Sequence, residues 1–177
     1  MVARSKAAFL VAPICAAVLV AGCGSSGAAA GTSNTTQGTG RPTGPVTIKA
    51  VTGRDGTYLT DASGRALYMW VGDDPGKSNC SSDCARAWPP VVTASASAPR
   101  ASGDARPANL GTITRSDGAK QVTYKGHPLY YFVVDSGPGT TKGQGSSSFG
   151  ARWWLVAPSG AAITVNGSSS VAPPTAY

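Results

Sequence analysis

The sequence predicts a mainly β fold: antiparallel sheet built from two related repeats, as a sandwich or a small barrel, with one short helix near Ser82–Trp88. Three observations carry this prediction. Short runs alternate apolar and polar residues with the period of a half-buried strand, and clusters of Gly, Ser and Asp separate them. A ten-residue pattern that starts at Gly64 returns at Gly126. Only one segment reads as helix.

The elements follow in chain order. Val46–Val51 alternates as a strand. Thr57–Thr60 continues to the turn signal Asp61-Ala62-Ser63-Gly64. Arg65–Val71 reads as a strand rich in aromatics. Ser82–Trp88 reads as about two helical turns, ended by Pro89-Pro90. Thr93–Asn109 has neither period and is expected to be a long surface loop between two halves. Gly111–Arg115 and Gln121–Tyr124 flank Ser116-Asp117-Gly118 and form an expected hairpin. Leu129–Val134 is a strongly β-prone run. Trp153–Ala157 and Ala161–Val165 flank Pro158-Ser159-Gly160 as a last hairpin.

The chain begins with Arg4 and Lys6, then an apolar stretch from Ala7 to Val20 broken by Pro13. Small residues follow, so residues 1–22 read as a secretory signal. Cys23 comes directly after Ala21-Gly22, with Leu19 and Val20 upstream, and this resembles a bacterial lipobox. The resemblance implies cleavage before Cys23, a lipidated thiol, and a chain held on the outer face of the cell membrane. Residues 23–45 are rich in Gly, Ser and Thr with Arg41 as their one charge, a composition expected to stay disordered as a tether. Residues 46–167 are then a single β domain, with repeats at about 46–92 and 110–167 around the loop 93–109. The tail 168–177 is expected to fray. No second apolar run approaches the ~18 residues that a spanning helix needs.

Composition bounds the partners. The net charge is +7, and all eight acidic residues are Asp. With Arg4 and Lys6 removed in the signal the charge is +7 − 2 = +5, and the remaining bases are spread from Arg41 to Arg152, which suits weak attraction to anionic headgroups or wall polymers. Export, and the lack of a basic stripe or reading motif, argue against nucleic acid. There is no Glu, no His-Glu-x-x-His and no Gly-x-Ser-x-Gly, so no familiar hydrolase site is written here. Cys-x-x-Cys-His is absent, and Gly143-Gln144-Gly145 lacks the Lys-Ser/Thr of a phosphate loop.

The repeat is the richest signal. The first copy is Gly64-Arg65-Ala66-Leu67-Tyr68-Met69-Trp70-Val71-Gly72-Asp73, followed by Pro75-Gly76. The second is Gly126-His127-Pro128-Leu129-Tyr130-Tyr131-Phe132-Val133-Val134-Asp135, followed by Pro138-Gly139. Each then reaches tryptophan, at Trp88 and at Trp153-Trp154. A duplicated unit that cannot bury its own apolar face is expected to pack against its twin with pseudo-twofold character. Tyr-x-aromatic-x-x-Asp, twice, resembles the bacterial lipoproteins known for a secreted repeat of unknown function. The resemblance also covers Leu59–Arg65, Cys80-x-x-x-Cys84-Ala85-x-x-Trp88-Pro89-Pro90, Gln121–Tyr130 and Gly143-Gln144-Gly145. It implies an exported lipoprotein and implies no activity.

In a strand Tyr68 and Trp70 share one face, as do Tyr130 and Phe132. The plainer expectation is core packing; the functional one is a platform for a sugar, quinone or haem. Asp73 and Asp135 read as turn residues that accept backbone N–H groups, or as paired carboxylates for acid–base or cation chemistry if the repeats bring them together. Cys80 and Cys84 face an oxidising compartment as a pair and are expected to form a disulfide that fixes the loop before Trp88. Their i, i+4 spacing would require distortion of a helical turn. The alternative is a copper or electron-transfer site of Cys80 and Cys84 with His127 or Met69. The expected function is thus a non-catalytic binding or structural module without cofactor, with the copper accessory protein as the alternative.

Overall fold

The structure is a computed structural model that describes residues 44–94, 96–165 and 168–169. The expected signal at 1–22, Cys23, nearly all of the 23–45 tether and most of the 168–177 tail lie outside the described residues. The strands are β1 (Thr47–Gly53), β2 (Gly56–Asp61), β3 (Tyr68–Trp70), β4 (Val92–Thr93), β5 (Arg100–Ala101), β6 (Leu110–Thr114), β7 (Lys120–Tyr124), β8 (His127–Pro128), β9 (Trp153–Leu155), β10 (Ile163–Val165) and β11 (Ser168–Ser169). The short helix α1 spans Ser82–Ala87.

The fold is mainly antiparallel sheet, and the described strands close no barrel. Each repeat opens with a hairpin that its turn residues predict. In the first, β1 pairs β2 from Ile48↔Asp61 to Gly53↔Gly56. In the second, β6 pairs β7 from Leu110↔Tyr124 to Thr114↔Lys120. Gly64 and Gly126 then turn each chain with φ of +85° and +82°, a region where a Cβ is strained, ahead of the aromatic segment.

The strands that complete each hairpin come from the other repeat. Leu59 N–H in the first hairpin donates to Val156 O, and Val122 N–H in the second donates to Val91 O. β3 of the first repeat pairs β9 of the second, at Tyr68↔Leu155, Met69↔Trp154 and Trp70↔Trp153. In the mirrored position Tyr131 N–H donates to Pro89 O and Val133 N–H to Ala87 O. Tyr68 and Tyr130 exchange both backbone bonds at 2.9 Å, which marks the pseudo-twofold axis.

Four local expectations need correction. Arg65–Val71 forms a strand only over Tyr68–Trp70. Leu129–Val134 is not a regular strand, although Tyr130 bridges both Tyr68 and Pro90. Its partner segment returns Val91 N–H to Leu129 O at 2.9 Å, but Pro89, which accepts from Tyr131 N–H, has no N–H to give back, so the ladder breaks there. The region 93–109 is not structureless. β4 pairs β7, and β5 runs parallel along the outer edge of β1 at Thr47↔Arg100, covering an otherwise free edge. The last hairpin keeps the Ala157 N–H to Ala161 O bond and a bridge at Val156↔Ala162, beyond which the Gln144 side chain stands between Leu155 N–H and Ile163 O.

The core falls into two clusters. One holds Tyr58, Tyr68, Cys80, Cys84, Trp88, Tyr130, Trp153 and Leu155 among its members. The other is aliphatic, with Ile48, Leu59, Leu67, Met69, Val91, Val122 and Leu129. Residues 68 and 70 alternate with 67 and 69, so each aromatic segment feeds both clusters.

Candidate functional site

The repeated motif converges on the axis. Trp70, Trp153, Trp88 and Phe132 form one continuous stack. Successive ring centroids lie 5.4, 3.9 and 4.2 Å apart, with interplanar angles of 13°, 4° and 24°. The middle pair, Trp88 and Trp153, is fully buried. Trp70 and Phe132 cap the two ends and are half-buried. Tyr68 meets Trp88 edge-on at 5.3 Å, and Tyr130 meets Trp153 edge-on at 5.2 Å. Offset-stacked and T-shaped contacts of this kind each contribute roughly 0.5–1.5 kcal/mol beyond the area they bury. The motif aromatics therefore build core; they offer no open platform.

The two carboxylates are crossed between the repeats. Tyr68 OH donates to Asp135 Oδ2 at 2.7 Å, and Tyr130 OH donates to Asp73 Oδ2 at 2.7 Å. The second oxygen of each takes a backbone N–H from the following loop, from Asn79 for Asp73 and from Lys142 for Asp135, both at 2.8 Å. The turn role expected for both residues is thus half of their work. The other half clamps the tyrosine of the opposite repeat. Burial raises both carboxyl pKa values, against the pull of these hydrogen bonds. Burial and the adjacent carboxylate drive both phenols far above the usual tyrosine range.

The surroundings of the two pairs differ. Arg115 is buried on the hairpin turn after β6 and donates to Ser78 Oγ and Gln121 Oε1 at 2.7 Å and to Cys80 O at 2.6 Å. Ser78 in turn contacts Tyr130 OH at 2.7 Å. On the turn of the first hairpin, beside Tyr58, Asp55 accepts from Thr141 Oγ1 at 2.5 Å. No sequence signal marks Arg115, a base at a hairpin end, nor the Asp55–Thr141 pair, 86 residues apart. Gly143-Gln144-Gly145 also finds its use. Gln144 accepts from Leu155 N–H and donates to Ile163 O, while Gly143 lies flat against Trp88.

Cys80 and Cys84 form a disulfide with Cα atoms 5.2 Å apart. Cys80 precedes α1 and only Cys84 lies in it, and the expected distortion falls between them, where Ser82 opens the helix with φ of +50°. The other proposed copper ligands are not gathered there. Met69 packs in the aliphatic cluster while both cysteines pack in the aromatic one. His127 sits in β8 opposite Tyr124, with its pKa lowered by burial and by Lys125. Among the described residues no three His, Cys, Asp or Glu side chains are placed to share a metal ion. No described helix is long and apolar enough to cross a membrane.

The family model described as "Secreted repeat of unknown function" matches the chain twice, over residues 49–92 and 111–157. The two matches coincide with the two hairpin-to-tryptophan units that exchange strands. No curated protein and no solved structure matches the chain. The chain belongs to this secreted-repeat family, whose description assigns it no activity.

Proposed function

We propose that the protein is an exported envelope lipoprotein, tethered by lipid on Cys23, whose domain is a non-catalytic binding or structural module. One observation carries the non-catalytic part. The polar groups of the motif are turned on one another inside the fold and away from any outside substrate, since both tyrosine hydroxyls sit on aspartates, both aspartates are held by backbone N–H groups, and both thiols are joined to each other. The partner class suited to the basic surface is an anionic envelope polymer or headgroup, held weakly and in a salt-dependent way.

Two measurements test this reading. In cells, Cys23→Ala is expected to release the protein to the medium; a variant that stays with the membrane overturns the lipid anchor. Co-sedimentation of the protein with anionic wall polymer is expected at low salt and lost at high salt. Equal sedimentation with a neutral polymer overturns the charge argument.

A further inference from the structure

The central stack has a property that packing alone does not require. Three of its four rings are indoles in unbroken contact: Trp70 on Trp153, and Trp153 on Trp88. Each inner indole touches the edge of a tyrosine whose hydroxyl donates to a carboxylate at 2.7 Å. Indole gives up one electron far more readily than a phenyl ring. A phenol hydrogen-bonded to a carboxylate gives up an electron and a proton together. The two ends of the stack differ in the same terms. Trp70 occupies one end and Phe132 the other, both half-buried, so the Trp70 end alone joins partial exposure to a readily oxidised ring.

We infer that the Trp70–Trp153–Trp88 stack is a one-electron relay that carries an oxidising equivalent from the surface to the buried Tyr68–Asp135 and Tyr130–Asp73 pairs. The oxidant is of the organic peroxyl-radical class. It takes one electron from Trp70 and leaves as the peroxide anion. An electron then passes from Trp153 to Trp70. Tyr130 refills Trp153 directly across the edge contact. On the longer route Trp88 refills Trp153, and Tyr68 refills Trp88. The tyrosine that supplies the electron passes its phenolic proton along the existing hydrogen bond, from Tyr68 to Asp135 or from Tyr130 to Asp73. The products are one peroxide anion, one neutral phenoxyl radical and one protonated carboxyl group, so charge and atoms balance. The disulfide and the aliphatic cluster take no part. This activity goes beyond the binding or structural role and does not depend on it.

The test is laser flash oxidation of the purified full chain with photogenerated tris-bipyridine ruthenium(III), followed by transient absorption. An indolyl radical is expected first, giving way to a phenoxyl radical whose growth is slower in D₂O. Trp70→Phe, which keeps the stacking shape, is expected to cut the phenoxyl yield severalfold. Tyr68→Phe combined with Tyr130→Phe is expected to abolish the growth and lengthen the life of the indolyl radical. Trp154→Phe, which faces the other cluster, is expected to change nothing. The inference is overturned if the unsubstituted protein forms no delayed phenoxyl radical, if its growth is indifferent to D₂O, or if Trp70→Phe gives the parent yield. The first two readings need no variant, so a tyrosine substitution that fails to fold leaves the proposal decidable.

Discussion

Gly143→Ala isolates the tightness of the axial core in a single methyl group. A Cβ at this position would lie 2.7 Å from Trp88 Cη2, 2.8 Å from Trp88 Cζ3 and 2.9 Å from Tyr68 Cζ. Ordinary contact begins at 3.4 Å, so relief needs a movement of 3.4 − 2.7 = 0.7 Å. Neither ring can supply it. Trp88 is held between Trp153 at 3.9 Å and Phe132 at 4.2 Å, and its Nε1 donates to Ser148 Oγ at 3.1 Å. Tyr68 is fixed by Asp135 and takes the Gly143 N–H at 3.3 Å. The backbone is fixed on both sides, by Lys142 N–H on Asp135 and by the Gln144 side chain. Overpacking of a tight core costs ~1–3 kcal/mol, and the upper end, about 3 kcal/mol, is expected here. For a folded part of this size that corresponds to a fall in Tm of about 12 °C. The assay is thermal unfolding by near-UV circular dichroism, with Gly137→Ala as control. Gly137 has nothing within 4 Å of its Cβ position and no positive φ, so it should melt with the parent. A Gly143→Ala protein that melts with the parent, or above it, would refute the argument that the stacked rings cannot move.

Three further outcomes are expected. Reduction of Cys80–Cys84, or Cys80→Ser with Cys84→Ser, should lower stability by roughly 2 kcal/mol, the chain-entropy value for so short a loop, read as a lower urea midpoint. Tyr68, Tyr130 and Tyr131 all have folded-state pKa values raised by burial above the unfolded value near 10. Their contribution to stability is therefore complete below about pH 10 and is lost as pH rises above it, so these phenols should ionise only together with unfolding, seen as tyrosinate absorbance rising while near-UV dichroism is lost. Polypeptides 44–109 and 110–169, made separately, should each lack fixed tertiary dichroism and should regain it when mixed, because each hairpin lacks its completing strand; a half that folds alone refutes the exchange.

Much of the architecture was legible because it is local. The β1–β2 and β6–β7 hairpins follow from alternation and from the turns that join them, and the helix stops where Pro89-Pro90 forbids it. The repeat itself announced a pseudo-twofold. What the sequence could not say is which copy serves which. Asp73 next to a Pro-Gly turn reads as a turn residue, and its hydrogen bond to Asn79 honours that reading. Nothing in the order of residues shows that Tyr130, 57 positions away, rests on the same carboxylate. Leu129–Val134 misled for a related reason. Its β propensity is real, but a ladder needs donors on both sides, and its partner carries two prolines. The short β5 was hidden because two residues on a sheet edge leave no period to detect.

The strand exchange has a consequence for how such a molecule behaves when diluted. A chain with a single repeat would have to find a second copy and form an isologous dimer before any of its sheets could close. Its stability would then depend on concentration, and outside a cell concentration is not controlled. Carrying both copies on one chain makes that encounter intramolecular, with an effective concentration set by the connecting segment and not by the surroundings. The stretch between β4 and β6 is thus more than a spacer: it keeps a two-body assembly closed at any dilution.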